Sequence, residues 1–336
     1  MLGNPKAWLG TAYHHVLEHM WESSPLDDQA RSEELWANAI RVLQAKAASH
    51  ELNRRFANPE QWPGYHLVRA FTMMRAKQAL HDQPRQRAAV VTERVYREQE
   101  FTAMNGKLVG KPDVILGNEI RDYKSGRIYD TTAEGEQIVK QAYVRQLRLY
   151  GRLVQESLGV CPAKGILLPM EGPAVEVALD AQTCASEATE AVRLLDSYNS
   201  QVQTARTVMQ VANPSSQACR WCQYKALCPA FWARVDATWR ESLGTGCVRG
   251  VLTSPPQLVH NDRAFCLTLT STGGTAAGEM TIAPLERTVH ANVEPWQAGD
   301  AVRVVNLYCR NDGRLAPTNT TVCLREQDLV TLRPSG

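Results

Sequence analysis

Apolar residues recur at three- and four-residue steps along several stretches of the chain and at two-residue steps between them, a pattern of helices interleaved with short strands. Trp8, Tyr13, Val16, Leu17 and Met20 predict a helix over Ala7–Trp21. A polar, acidic stretch (Ser23–Gln29) precedes a second helix from about Ser32, striped by Leu35, Trp36, Ile40 and Leu43. Trp62-Pro63-Gly64 punctuates the chain before a third, whose Leu67, Phe71 and Met74 face inward. Arg85–Ala88 reads as a basic loop, and Val90–Phe101 as one long strand or a strand pair. Leu108–Leu116 and Glu119–Lys124 then flank Gly117-Asn118 as a tight hairpin. Glu136–Leu158 is strongly amphipathic, with Gly159 in the C′ position. Ile166–Met170 and Ala174–Leu179 form a second hairpin around Glu171-Gly172-Pro173, and a helix over Ser186–Gln210 leads into a cysteine cluster.

From about Gly244 the texture changes. Cys247–Leu252, Ala264–Thr270, Glu279–Ile282, Ala301–Tyr308 and Thr320–Arg325 are short strands separated by glycine, proline, asparagine and aspartate. The order of elements predicts an α/β fold with a mixed core and flanking helices, followed by a small β-barrel of OB-like type. Three parts result: an N-terminal helical part (1–90), a core ending in the cysteine cluster (91–242) and an OB-like domain (243–336).

The hairpin carries the chemistry. Asp113 falls on its first strand, while Asp122 and Lys124, two residues apart on the second, share a face with Ile120; Arg121 and Tyr123 point the other way. Two carboxylates and a lysine brought together in this way make a hard-metal site with an adjacent cation. Phosphodiester hydrolysis uses that combination: oxygen ligands for Mg²⁺ or Mn²⁺, and a positive group beside the attacking water and the developing charge. Glu100, at the end of the preceding strand, reads as an exposed residue rather than a further ligand.

Composition changes this picture little. A chain of 336 residues can bury a sizeable core in more than one domain, and a net charge of +2 neither favours nor excludes nucleic acid, because a nuclease needs a local basic groove rather than a basic average. The first residues, MLGNPKAWLG, lack a signal pattern and no apolar run reaches membrane-span length, so a cytoplasmic protein without a membrane partner is expected. Nine cysteines form no secreted framework, but Cys219, Cys222 and Cys228 stand at a spacing that can converge on zinc or an iron–sulfur cluster. Cys266, Cys309 and Cys323 read as core thiols. Gly106–Pro112 is superficially like a phosphate-binding loop, yet it is one residue short, ends in proline and sits inside a hairpin. The chain shows no nucleotide-hydrolysis motif, so any helicase would be a separate partner.

Four blocks carry a family resemblance: Leu9-Gly10-Thr11-Ala12-Tyr13-His14, Gly110-x-x-Asp113, Asp122-Tyr123-Lys124-Ser125-Gly126 and Gln146-x-x-x-Tyr150. Over residues 9 to 230 the chain resembles the PD-(D/E)XK nucleases of RecB/AddB type, among them the CRISPR-adaptation exonucleases with an iron–sulfur cluster. The resemblance implies a restriction-endonuclease-like mixed sheet. It implies that Asp113, Asp122, the Tyr123 backbone carbonyl and His14 (rather than its neighbour His15) hold the metal. Lys124 would polarise the attacking water, and Gln146 and Tyr150 would meet DNA or brace the site. It further implies a 4Fe-4S cluster on Cys219, Cys222 and Cys228. The family's fourth, upstream cysteine is missing here; the expected explanation is an N-terminal segment beyond Met1, the alternatives being Cys161, Cys184 or Cys247, or a degenerate site.

The resulting expectation is a metal-dependent DNA nuclease, an exonuclease on single strands or DNA ends, acting in repair, recombination or antiphage defence. Its rivals are a non-cleaving nucleic-acid-binding or assembly subunit and a structural zinc protein. In the OB-like part, Phe265, Trp296 and Tyr308 with Arg249, Arg303 and Arg310 are the candidates for a single-strand surface, against a core or docking role.

Overall fold

The computed structural model describes residues 4–20, 27–49, 53, 56–81, 95–132, 134–222, 224–310, 314–318 and 320–330. The Arg85–Ala88 loop and the first residues of the strand expected from Val90 lie outside them, as does part of the acidic stretch 23–29. The chain divides into two compact units, one of Pro5–Ala45 with Pro59–Thr204, the other mainly Ala205–Gly336. The boundary expected at 242/243 falls inside the second unit.

The first unit opens with helices α1 (Pro5–His19), α2 (Asp28–Ala48) and α3 (Tyr65–His81). α3 packs against α1, but not through the large residues its pattern suggested. Thr72 and Ala76 are the buried positions, while Leu67 and Met74 are 57% and 49% exposed. Small side chains allow close approach of the two helices, and the Thr72 hydroxyl is satisfied by donating to the Val68 carbonyl at 2.7 Å.

Strand β1 (Val95–Arg97) is followed by β2 (Phe101–Ala103), β3 (Leu108–Gly110), β4 (Val114–Leu116) and β5 (Glu119–Lys124). The expected first hairpin strand is thus split in two. β3 pairs with β2 in a separate ribbon, and β4 joins the main sheet. Pro112 accounts for the break, because it offers no amide to a ladder and restricts the residue before it. Asp113 therefore stands in the bend before β4 rather than on the strand. The β4–β5 turn is the two-residue one expected, with Leu116 opposite Glu119 and Gly117 at φ 55°.

β6 (Tyr129–Thr131) pairs with β7 (Gln137–Val139), so α4 spans Gln141–Leu158 and begins later than its hydrophobic pattern suggested. Gly159 ends it in the left-handed conformation, φ 82°. α4 crosses over to β8 (Lys164–Pro169), which lies parallel to β5 with Leu167 opposite Asp122; β9 (Val175–Ala178) returns antiparallel, and α5 (Ala181–Thr204) follows. The five strands run β1-β4-β5-β8-β9, a mixed sheet over which α4 lays Leu147, Leu153 and Val154 against Ile115, Ile120 and Leu167. A side chain at Gly165 would meet Leu147 at 2.8 Å, which is how closely helix and sheet approach.

The second unit carries β10 (Gly246–Leu252), β11 (Gln257–Val259), β12 (Ala264–Gly274), β13 (Glu279–Glu286), β14 (Ala301–Cys309), β15 (Leu315–Ala316) and β16 (Val322–Arg325). They form an antiparallel sheet in the order β11-β12-β10-β14-β15, with β13 on β12 and β16 on β14. Among the described residues the ladder does not close, so the OB-like barrel is not found as such. Trp296 and Phe265 are buried in its core, which removes them as stacking platforms. Arg249 and Arg303 both pair with Glu326, at 2.7 and 2.8 Å. Tyr308 and Arg310 are the candidates left on the surface. Among the described residues, no helix is long and apolar enough to cross a membrane.

Candidate active site

Three chain segments meet beside the β4–β5 hairpin. The Tyr123 amide donates to Asp113 Oδ2 at 2.5 Å, which fastens the bend before β4 to the neighbouring strand. Strand alternation brings Asp122 and Lys124 together, with Lys124 Nζ 2.5 Å from Asp122 Oδ2. From α1, His14 places Nδ1 3.8 Å from Asp113 Oδ1. Gly10, one turn earlier, makes this approach possible, since a side chain there would come within 2.7 Å of Ser125 Oγ. Gly10→Ala should accordingly push α1 away from β5 and lower metal-dependent activity roughly tenfold or more while leaving the fold intact. Circular dichroism alongside an activity assay checks this, and unchanged activity would show that the spacing tolerates a methyl group.

The site is sparingly exposed and dominated by carboxylates. Asp122 is only 2% exposed, and burial raises both Asp113 and Asp122 to about 6, against the pull of the Tyr123 amide and of Lys124 respectively. Glu98 is a third member that the sequence did not disclose. Its amide donates to the Asp113 carbonyl at 3.2 Å, and its carboxyl lies close enough to Asp113 for the two charges to interact. Burial, then the charges of Glu18 and Asp113, raise it to about 8. Glu98 also adopts φ 45°, a left-handed conformation that a side chain rarely takes. Glu100 is exposed, as its place at a strand end suggested. Burial holds the His14 imidazole below its ordinary value, which leaves it neutral and able to offer a lone pair.

Glu98 Oε1 is buried without a hydrogen-bond partner, and Asp122 Oδ2 is met only by the Lys124 ammonium. Crowded carboxylates with such oxygens and a neutral imidazole suit a divalent cation, which would satisfy them together. Lys124 is held from the other side: Nζ donates to Gln146 Oε1 at 2.7 Å and lies 4.7 Å above the Tyr143 ring. Gln146 Nε2 donates to the Tyr150 hydroxyl at 2.9 Å, and Tyr150 packs where Gly110 leaves room. Gln146 and Tyr150 thus brace the lysine. Tyr143 belongs to the same bracket.

A model of the PD-(D/E)XK nuclease superfamily matches residues 3–229. The chain belongs to that superfamily. No curated protein and no solved structure matches the chain. Membership makes a metal-dependent nuclease the general reading of the hairpin site, with Mg²⁺ or Mn²⁺ the ions such nucleases typically use and DNA the substrate the superfamily suggests.

The cysteine segment that closes the superfamily match behaves differently. Cys219 is buried in the second unit's core with Cys247, and Cys228 packs against the same cluster. Of the three candidates for a fourth ligand, Cys247 is the one in this core; Cys161 and Cys184 neighbour each other in the first unit. Lys225 lies buried among the thiols, its amine pushed below the usual lysine range by burial and donating to the Arg220 carbonyl at 3.1 Å. Among the described residues, no three ligand atoms within 4.8 Å of one another include a cysteine sulfur. The thiols as placed do not make a metal cage, and the iron–sulfur cluster is not supported.

Proposed function

We propose that this chain is a deoxyribonuclease of the RecB/AddB-type branch that hydrolyses single strands or DNA ends. The observation that carries this reading is the pairing of Asp122 with Lys124 beside the Asp113–His14 pair, although the ligand atoms of Asp113, Asp122 and His14 do not all lie within 4.8 Å of one another as placed. Asp113, Asp122, His14 and the Tyr123 carbonyl would hold a divalent ion, which when bound supplies an activated water and neutralises charge at phosphorus. Lys124, fixed by Asp122, Gln146 and Tyr143, offers a compact positive charge where negative charge builds on the phosphate. Glu98 and the Tyr123 amide hold Asp113 in position. The recessed carboxylates support the choice of substrate: a phosphate reaches Asp122 more readily on a single strand or a frayed end than on the face of an intact duplex. A cleft of about 470 Å³ beside them is lined by Gly10, Thr11, His14, His15, Glu18 and Ser125.

The test is digestion of end-labelled single- and double-stranded DNA with Mn²⁺. Wild type should degrade the single strand, and Asp122→Ala should lose roughly 10³-fold or more of that activity. Equal activity in the two proteins would remove the enzymatic reading and leave a nucleic-acid-binding subunit.

A further inference from the structure

Helix α1 carries a second set of ligands that the hairpin chemistry does not use. His15, Glu18 and His19 follow the spacing H-x-x-E-H. The two histidines lie one turn apart on one face, and Glu18 follows the first by three residues, so His15 neighbours both of the others on the helix surface. One ligand atom from each lies within 4.8 Å of the other two, the single such group among the described residues. All three side chains are half-buried.

The local hydrogen bonding favours metal ligation. His19 Nδ1 donates to the His15 carbonyl at 2.8 Å, which leaves Nε2 with its lone pair when the ring is neutral. Ligating histidines are ordinarily oriented by such a bond from the other ring nitrogen. The two rings stand 4.2 Å apart, and Arg31 from α2 holds the His19 carbonyl at 2.8 Å, so the end of the helix that carries them is anchored. His15 and Glu18 line the same cleft as His14 and Ser125.

We propose that His15, Glu18 and His19 bind a divalent transition-metal ion of the zinc or cobalt class at this cleft, separate from any ion held by the hairpin carboxylates. Two imidazoles and one carboxylate are a known donor set for zinc, and three protein ligands leave a coordination position for water or a phosphate oxygen. Nitrogen donors also discriminate the site from the mainly oxygen-lined hairpin, which suits magnesium or manganese. The assignment does not depend on the chain cleaving DNA, because the ligands come from one helix and bind whether or not the hairpin is active.

Cobalt(II) titration of the chelator-stripped full chain in excess Mg²⁺ tests it, read by visible ligand-field absorption and by metal content after dialysis. Asp122→Asn, which cripples the hairpin site, should retain one bound equivalent of cobalt. Adding H15Q and H19Q to that background should abolish it, weakening affinity by more than the roughly 10- to 100-fold that loss of an outer-shell partner costs. Glu18→Gln, which keeps both rings, should weaken binding without loss of the helical signal in far-UV circular dichroism. Equal cobalt binding by folded Asp122→Asn with and without the histidines would overturn the site. So would a signal that disappears in Asp122→Asn alone, since the ion would then belong to the hairpin.

Discussion

Lys124→Ala should reduce DNA cleavage by roughly 10²- to 10³-fold, the loss expected on removing one preorganised electrostatic stabiliser, while leaving the fold and DNA affinity close to wild type. The lysine is not a loose surface cation. Its amine is fixed by Asp122 at 2.5 Å, Gln146 at 2.7 Å and the Tyr143 ring at 4.7 Å, so its charge is already placed before substrate arrives. Little of the rate loss should therefore come back on raising DNA concentration. Raising Mn²⁺ should not restore it either: losing a positive charge beside the buried Asp122 strengthens that carboxylate's hold on a metal, so Mn²⁺ affinity should rise while the rate stays low. Lys124→Arg separates the two contributions. It restores the charge beside Asp122 but brings a broad planar fork into a space shaped for a point charge. Metal affinity should fall back to the wild-type value while kcat recovers only in part. Single-turnover cleavage and filter binding on the same preparations provide the check, and a parallel collapse of DNA binding in Lys124→Ala would mark the lysine as a phosphate contact only.

The parts of this site that were legible in the sequence are those set by local periodicity. Strand alternation placed Asp122 and Lys124 on one face, and helical spacing placed Gln146 four residues before Tyr150, because both repeats are properties of the backbone itself. Gly117-Asn118 was legible for a similar reason: a two-residue link between alternating runs has few solutions. What failed was set by pairing at a distance. Glu98 reaches Asp113 because Arg97 lies opposite Val114 across an intervening ribbon of two strands, a register no short window contains. Asp113 was misplaced onto a strand because the apolar run from Leu108 to Leu116 outweighed one proline. In the second unit, Trp296 and Phe265 could be core or stacking surface with equal justice from sequence. Only the tertiary packing put them inside, and only Glu326 showed that Arg249 and Arg303 are already engaged. The cysteines make the complementary point: correct spacing along the chain does not by itself bring three sulfurs onto one ion.

Without metal, the folded protein should lose stability as pH rises from about 5 to 8, and Mn²⁺ should cancel that loss. Asp113 and Asp122 have ordinary values of 3.8 and Glu98 of 4.5, and burial raises them to about 6, 6 and 8 in the folded chain. Between those limits the native state holds protons that the unfolded state has released. The associated stability is therefore fully present below the unfolded values and disappears as pH climbs through the folded ones. A carboxyl moved from 3.8 to about 6 corresponds to about 3 kcal/mol once both states are ionised. His14 acts in the opposite sense, since burial lowers its value and its share of stability is lost as pH falls below its ordinary 6.5; one imidazole stands against three carboxyls. Thermal denaturation in EDTA should give a Tm that falls across this window by more in wild type than in Asp113→Asn/Asp122→Asn, where two of the three groups no longer ionise. Saturating Mn²⁺ should lift the wild-type Tm at pH 8 and leave the double variant unmoved, because a divalent charge reverses the penalty only where there are carboxylates to receive it. A wild-type Tm that is flat or rising in EDTA, with the same profile in the variant, would mean that the carboxylates are not crowded in solution as they are in the structure, and the metal site built on that crowding would fall with it.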